Sequence, residues 1–209
     1  MNSEYRALVA KVSASTDAIG ERRKADITCS AGCSSCCHAW LTVSTVEAEQ
    51  VVAALAALPT GERAAVRARG VVELAREAAG QVPERCALLD DDGRCGVYAG
   101  RPLVCRTQGH ALRYPAGLIP ASAITRTTPN GELTWCPLNY HTHEPNAEDV
   151  LDAERVDQIL AVVAERHSAA HGLARHTRHA LSALAAETDV LHDDTARADE
   201  FESDRELDD

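Results

Sequence analysis

The chain of 209 residues is 45% hydrophobic and 25% charged, with a formal net charge of −11, which suits one domain with trimmings and excludes a multi-domain machine. No basic, aromatic-laced patch offsets the negative balance, which argues against nucleic acid as a partner, and the longest strongly apolar run, Val51 to Leu58, is too short to cross a bilayer. Tyr5, Trp40, Tyr98, Tyr114, Trp135, Tyr140 and Phe201 are the only aromatics, so the core is thin, and the eight cysteines are the natural source of further folding energy through a metal or disulfide staple.

The opening Met1-Asn2-Ser3-Glu4-Tyr5 has an acid where a secretory signal would be basic, so the expected location is cytoplasmic, with thiols kept reduced. Leu8, Val9, Val12 and Ile19 predict a helix over residues 2–24. After a cysteine knuckle at 29–37, Ser44-Thr45-Val46-Glu47 reads as a capping box opening a helix through Val51, Val52, Leu55 and Leu58 to Pro59. A second helix starts after Thr60 and runs to Gly80, giving a helical hairpin. From Pro83 to about 145 the chain reads as irregular, with hairpin turns at Asp91-Asp92-Gly93 and Pro129-Asn130-Gly131.

Asn146 is a candidate N-cap for a long helix through Val156, Ile159, Leu160 and Val163 to about 186, broken near Gly172. His167 and His171 extend its apolar stripe and are expected to face inward, while His176, His179 and His192 are expected in solvent. Residues 187–209 hold eleven acids against Arg197 and Arg205, a net of −9, and few large apolars. The domain expectation is therefore one metal-binding domain at 1–188 and a disordered acidic tail at 189–209. The predicted fold class is mainly α: the hairpin and the long C-terminal helix surround an irregular, metal-organised, Cys-rich segment with short β-hairpins.

The cysteines stand as Cys29-x3-Cys33-x2-Cys36-Cys37, then Cys86, Cys95, Cys105 and Cys136. Four of them within a short Ser/Gly/Ala-rich stretch cannot be buried hydrophobically, so all eight read as metal ligands, in two four-Cys sites or one multi-metal cluster. Neighbouring side chains on extended backbone point apart, so Cys36 and Cys37 more easily serve two metals than one. Thiolate sites carry net negative charge, and Arg85, Arg94, Arg101, Arg106 and Arg113 are candidates to stabilise them. Trp40, Tyr98, Trp135 and Tyr140 stand close to cysteines in sequence, where scarce aromatics would shield a centre from water. His38, His110, His141 and His143 lie nearby as alternative donors.

Cys29-x3-Cys33-x2-Cys36-Cys37, followed by Cys86-Ala-Leu-Leu, Gly93-Arg-Cys95-Gly-Val-Tyr98, Arg101-Pro102-Leu-Val-Cys105-Arg106 and Trp135-Cys136-Pro137, resembles the YkgJ-type cysteine-cluster family, described as zinc- or iron-chelating, over residues 25–140. Ala87 departs from it, where the family tends to have proline. The resemblance implies a cysteine-ligated iron–sulfur cluster or zinc, with Arg101 and Arg106 as supporting cations, and flagellin N-methylases look like relatives. Three readings follow from it: an iron–sulfur or zinc domain with a redox role, a methyl-transfer enzyme, and a non-catalytic zinc module for storage, sensing or partner docking. Cys29-x3-Cys33-x2-Cys36 is also the spacing of radical-SAM enzymes, which makes S-adenosylmethionine a further candidate cofactor, although those enzymes carry an aromatic where this chain has Ser35. Thiolates suit iron and zinc alike, so the sequence does not choose between them.

Overall fold

The computed structural model describes residues 2–117, 124–129 and 131–187. In chain order the elements are α1 (Ser3–Arg22), β1 (Thr42–Ser44), α2 (Thr45–Ala56), α3 (Thr60–Ala78), α4 (Leu103–Thr107), β2 (Ala111–Tyr114), β3 (Ile124–Thr128), β4 (Gly131–Trp135), β5 (Val150–Asp152), α5 (Ala153–His171), β6 (Arg178–Ala180) and α6 (Leu181–Ala186). The fold is mainly helical, as expected. The acidic tail, His192 and Asn130 lie outside the described residues. Among the described residues no helix is long and apolar enough to cross a membrane.

Two compact units are distinguished. One is built from Ser3–Cys36 and Leu103–Val162, the other from Cys37–Pro102 with Asn2 and the described residues from Val163 onward.

In the second of these, α2 starts where the capping box places it: the buried Glu47 carboxylate accepts from the Ser44 amide at 3.0 Å and from its hydroxyl at 2.8 Å. Val51 and Leu55 of α2 then meet Val66 of α3, Leu88, Val97, and Leu181 and Leu184 of α6 in one apolar cluster. α3 packs on α6 at Gly70, where a Cβ would fall 2.4 Å from the Ala186 amide nitrogen. β1 and β6 pair antiparallel, with Val43 opposite His179. His179 is buried against the Thr45 hydroxyl at 3.0 Å rather than solvated, because the strand pairing turns its ring inward.

The expectation for the other two histidines holds for His167 alone. Its buried ring donates to Glu49 at 2.7 Å and accepts from the Asn2 side-chain amide at 3.4 Å. His171 is exposed, and its ring bonds the carbonyl of His167 at 2.8 Å. It sits in the last turn of α5, before Gly172 at φ 65°, where carbonyls lack helical partners and a nearby side chain can satisfy one.

In the other unit, α1 buries Tyr5, Leu8, Val12, Thr16 and Ile19 along one face and packs on α4. A four-stranded sheet runs in the order β3-β4-β2-β5, with β2 antiparallel to β4 and parallel to β5. β5 corrects the sequence reading, because α5 begins at Ala153 and not at Asn146. Asn146 does cap a turn, accepting from the Glu148 amide at 3.1 Å while Asp149 accepts from its own amide at 3.0 Å. That turn is a single 3-10 turn, however, after which Val150-Leu151 extends beside Ala111-Leu112, and Asp152 starts α5 by accepting from the Arg155 amide at 3.0 Å.

Candidate metal centre

Beyond α1 the chain turns back on itself, with the Asp26 and Ile27 amides donating to the Arg23 carbonyl at 2.8 and 2.9 Å. Three consecutive anchors then stitch it to the segment after Cys136. The Tyr140 amide donates to the Asp26 carbonyl at 2.7 Å, and the buried Asp26 carboxylate takes the His143 amide and ring at 3.3 and 3.2 Å. Thr28 bonds Asn139 Oδ1 through its amide at 2.9 Å and the Leu138 carbonyl through its hydroxyl at 2.9 Å. Asn139 Nδ2 donates to the Gly109 carbonyl at 2.7 Å and to Cys29 Sγ at 3.4 Å.

This stitching brings four sulfurs, more than a hundred residues apart in sequence at the extremes, into one neighbourhood. Burial raises the Cys136 thiol above its ordinary pKa, the Leu138 amide at 3.5 Å opposes that, and the nearby Cys29, Cys36 and Cys33 push it up further. Cys29, Cys33 and Cys36 are exposed, on a turn closed by the Cys33 amide on the Ser30 carbonyl at 3.0 Å with Gly32 at φ 89°. Cys105, half-buried on α4, is the fifth thiol of this unit.

Cys37, Cys86 and Cys95 lie in the other unit. The Cys86 amide donates to the Cys37 carbonyl at 2.8 Å, and Cys86 and Cys95 pack on the apolar cluster. The Asp91-Asp92-Gly93 turn forms as predicted, with Asp90 and Arg94 bonded through their backbones at 2.8 Å and Leu89 bridged to Cys95. Burial pushes the Cys86 thiol up to about 11, with the Cys95 charge adding to it. Burial also raises Cys95, against the lowering pull of Arg101, whose guanidinium lies 3.9 Å from the Tyr98 ring centre.

Of the candidate cations, Arg101 and Arg85 thus act on thiols. Arg113 pairs with Asp152 at 2.8 Å, Arg94 lies 3.9 Å from Asp92, and Arg106 reaches the Ser13 hydroxyl at 3.5 Å. His38 donates to the Glu84 carbonyl at 2.5 Å and His143 is held by Asp26, so each ring already has a partner. Trp135 meets Tyr140 edge-on with centroids 6.4 Å apart. Asn139 and Asp26 were missed by reading the sequence. Their only signal there is adjacency to Cys136 and Cys29, because what defines them is pairing across more than a hundred residues.

Among the described residues, no three His, Cys, Asp or Glu side chains are arranged to hold a metal ion as they stand. The donor set nevertheless fits a thiophilic ion. None of the eight cysteines is in a disulfide, Cys136 feels the charges of Cys29, Cys36 and Cys33, and a buried amide already points an N–H at Cys29.

No curated protein and no solved structure matches the chain significantly. The profile of the CxxCxxCC family, described as "Putative zinc- or iron-chelating domain", matches residues 28–137, more than half of the chain and inclusive of every cysteine. The chain belongs to this CxxCxxCC family of zinc- or iron-chelating domains.

Proposed function

We propose that the protein is a cytoplasmic thiolate metal protein whose first centre is the quartet Cys29, Cys33, Cys36 and Cys136. The observation that carries this is the convergence of the Cys29 turn on the Cys136 segment, where Cys136, raised first by burial, is raised further by Cys29, Cys36 and Cys33. Four like groups that repel when ionised are costly to gather unless a cation neutralises them. Zinc or iron bound there would supply charge neutralisation and a covalent link between the Cys29 turn and the Cys136 segment, and iron would add redox capacity.

The chain's own contribution is to hold and shield. Thr28, Asn139 and Asp26 fix the two segments relative to each other, and Trp135 and Tyr140, either side of Cys136 in sequence, pack edge-on against each other. Cys86 and Cys95 form a second thiol pair, with Arg101 beside Cys95, and the Cys37 backbone is bonded to it through the Cys86 amide. Four thiols for one ion would leave no open position, which favours the structural or storage reading over methyl transfer, for which SAM has only the Cys29-x3-Cys33-x2-Cys36 spacing behind it.

The test is elemental analysis and absorption spectroscopy of protein purified without oxygen. Stoichiometric zinc, or iron with sulfur-to-iron charge-transfer bands, is expected. Metal-free protein that takes up neither ion on reconstitution under reducing conditions overturns the proposal.

A further inference from the structure

We infer that Asn139 is the positioning residue of the quartet: its side-chain amide aims Cys29 Sγ and, through an N–H···S bond, sets how strongly that sulfur holds an ion. The inference rests on the reading above. Asn139 is 2% exposed, and both ends of its amide are in use. Oδ1 accepts from the Thr28 amide at 2.9 Å and hydroxyl at 3.0 Å, while Nδ2 donates to the Gly109 carbonyl at 2.7 Å and to Cys29 Sγ at 3.4 Å.

The Thr28 backbone N–H on one side and two acceptors on the other leave a single orientation of the amide, since a flip would set donor against donor and acceptor against acceptor. The N–H that faces the sulfur is therefore fixed. Gly109 makes room for the contact. It has φ +96°, and a Cβ there would fall 2.8 Å from Cys29 Sγ and 3.4 Å from Asn139 Nδ2. Only a residue without a side chain lets the sulfur and the amide meet at this point.

An N–H···S bond strengthens when the sulfur becomes a thiolate, because a charge-assisted hydrogen bond is about twice as strong as a neutral one. Outer partners of metal ligands are typically worth about 10- to 100-fold in affinity. The contact thus confines the direction of Cys29 Sγ and supports it as a ligand.

The test compares Asn139→Asp, which keeps an oxygen for Thr28 but removes the N–H aimed at Cys29, with Thr28→Val, which removes a hydroxyl bond to the same Asn139 oxygen and leaves the N–H···S contact. Zn²⁺ affinity is read by competition with a chromophoric chelator, and Co²⁺ absorption reports the sulfur ligands. Asn139→Asp is expected to weaken Zn²⁺ by about 10- to 100-fold and shift the sulfur-to-cobalt band, with Thr28→Val staying within about twofold. If the two variants lose affinity equally, or Asn139→Asp binds like the parent, the inference is overturned.

Should Asn139→Asp not fold, Gly109→Ala takes its place, and parent-like affinity and spectrum would again overturn the inference. A parent protein that binds neither ion sinks the functional reading instead. The positioning claim is then judged on metal-free protein: a crystal structure of Asn139→Asp must show Cys29 Sγ displaced from its place beside Gly109 with Cys33 unmoved, and an unmoved Cys29 overturns it.

Discussion

The Cys86 amide donates to the Cys37 carbonyl at 2.8 Å, fastening the end of the cysteine knuckle to the loop that carries Cys86 onto the apolar cluster. The thiols consequently fall into two populations. Cys29, Cys33 and Cys36 are exposed, whereas Cys86 is desolvated and held at about 11. Because the thiolate is the reactive form, metal-free protein at neutral pH is expected to be alkylated at Cys29, Cys33 and Cys36 first and at Cys86 last, by at least about tenfold in rate. Peptide mapping of an alkylation time course reads the order directly, and early labelling of Cys86 contradicts the burial described above.

Alkaline pH should unfold metal-free protein by the same desolvation. Cys86 is raised from 9.0 to about 11 by burial, so its contribution to stability is complete below pH 9 and is lost as pH rises through 11. Two units correspond to roughly 3 kcal/mol. Tyr140, raised mainly by burial from 10.0 to about 12, extends the decline to higher pH. Urea midpoints measured across this range should fall, and Cys86→Ala should flatten the lower part of the curve.

Much of the helical framework was legible because local chemistry dictates it. Ser44 and Glu47 form a two-ended capping box that no distant residue can alter, and Gly172 ends α5 where the break was expected. What stayed hidden depends on pairing. Val150-Leu151-Asp152 carries the same apolar pattern whether it starts a helix or lies beside β2, and only Ala111-Leu112 decides for the strand. The proposed quartet was half legible: the spacing predicts the cysteines as ligands, but grouping Cys136 with Cys29, Cys33 and Cys36 requires the Thr28–Asn139 and Asp26–Tyr140 bonds.

Acid should loosen the segment that presents the Cys29 turn. Burial would raise the Asp149 carboxyl, but Arg23 at 2.7 Å and the Asn146 amide outweigh it and hold the pKa below the ordinary value. A depressed carboxylate contributes stability above its unfolded pKa and loses it as pH falls through the folded one. The melting temperature is therefore expected to drop below about pH 4. Asp149→Asn should lower it at neutral pH and remove part of the acid dependence, while an unchanged neutral melting temperature would show that the Arg23 contact contributes little.

Packing at α3 makes a sharper forecast than helix propensity does. Gly70→Ala drives a Cβ to within 2.4 Å of the Ala186 backbone, so α6 must shift, at a cost of about 2–4 kcal/mol. Gly20→Ala in α1 meets nothing within 4 Å and should gain about 0.5–1 kcal/mol from helix propensity. Opposite signs in denaturant midpoints are expected, and a neutral Gly70→Ala would mean that α6 is not seated on α3.

On the proposed reading Cys36 belongs to the first centre and Cys95 does not, and single substitutions should separate them. Cys36→Ser leaves three thiolates around an ion that prefers four, while the remaining Cys29, Cys33 and Cys136 still repel one another. Loss of the ion from this quartet, a drop in zinc affinity of at least about 100-fold and a lowered melting temperature are expected, because metal binding is folding energy. Cys95→Ser touches only the group beside Arg101 and should leave one tightly held equivalent of metal in place. Zinc release followed by a colorimetric chelator distinguishes the two. If Cys95→Ser empties the protein as completely as Cys36→Ser, the quartet is not an independent centre, and the cysteines act as one shared cluster.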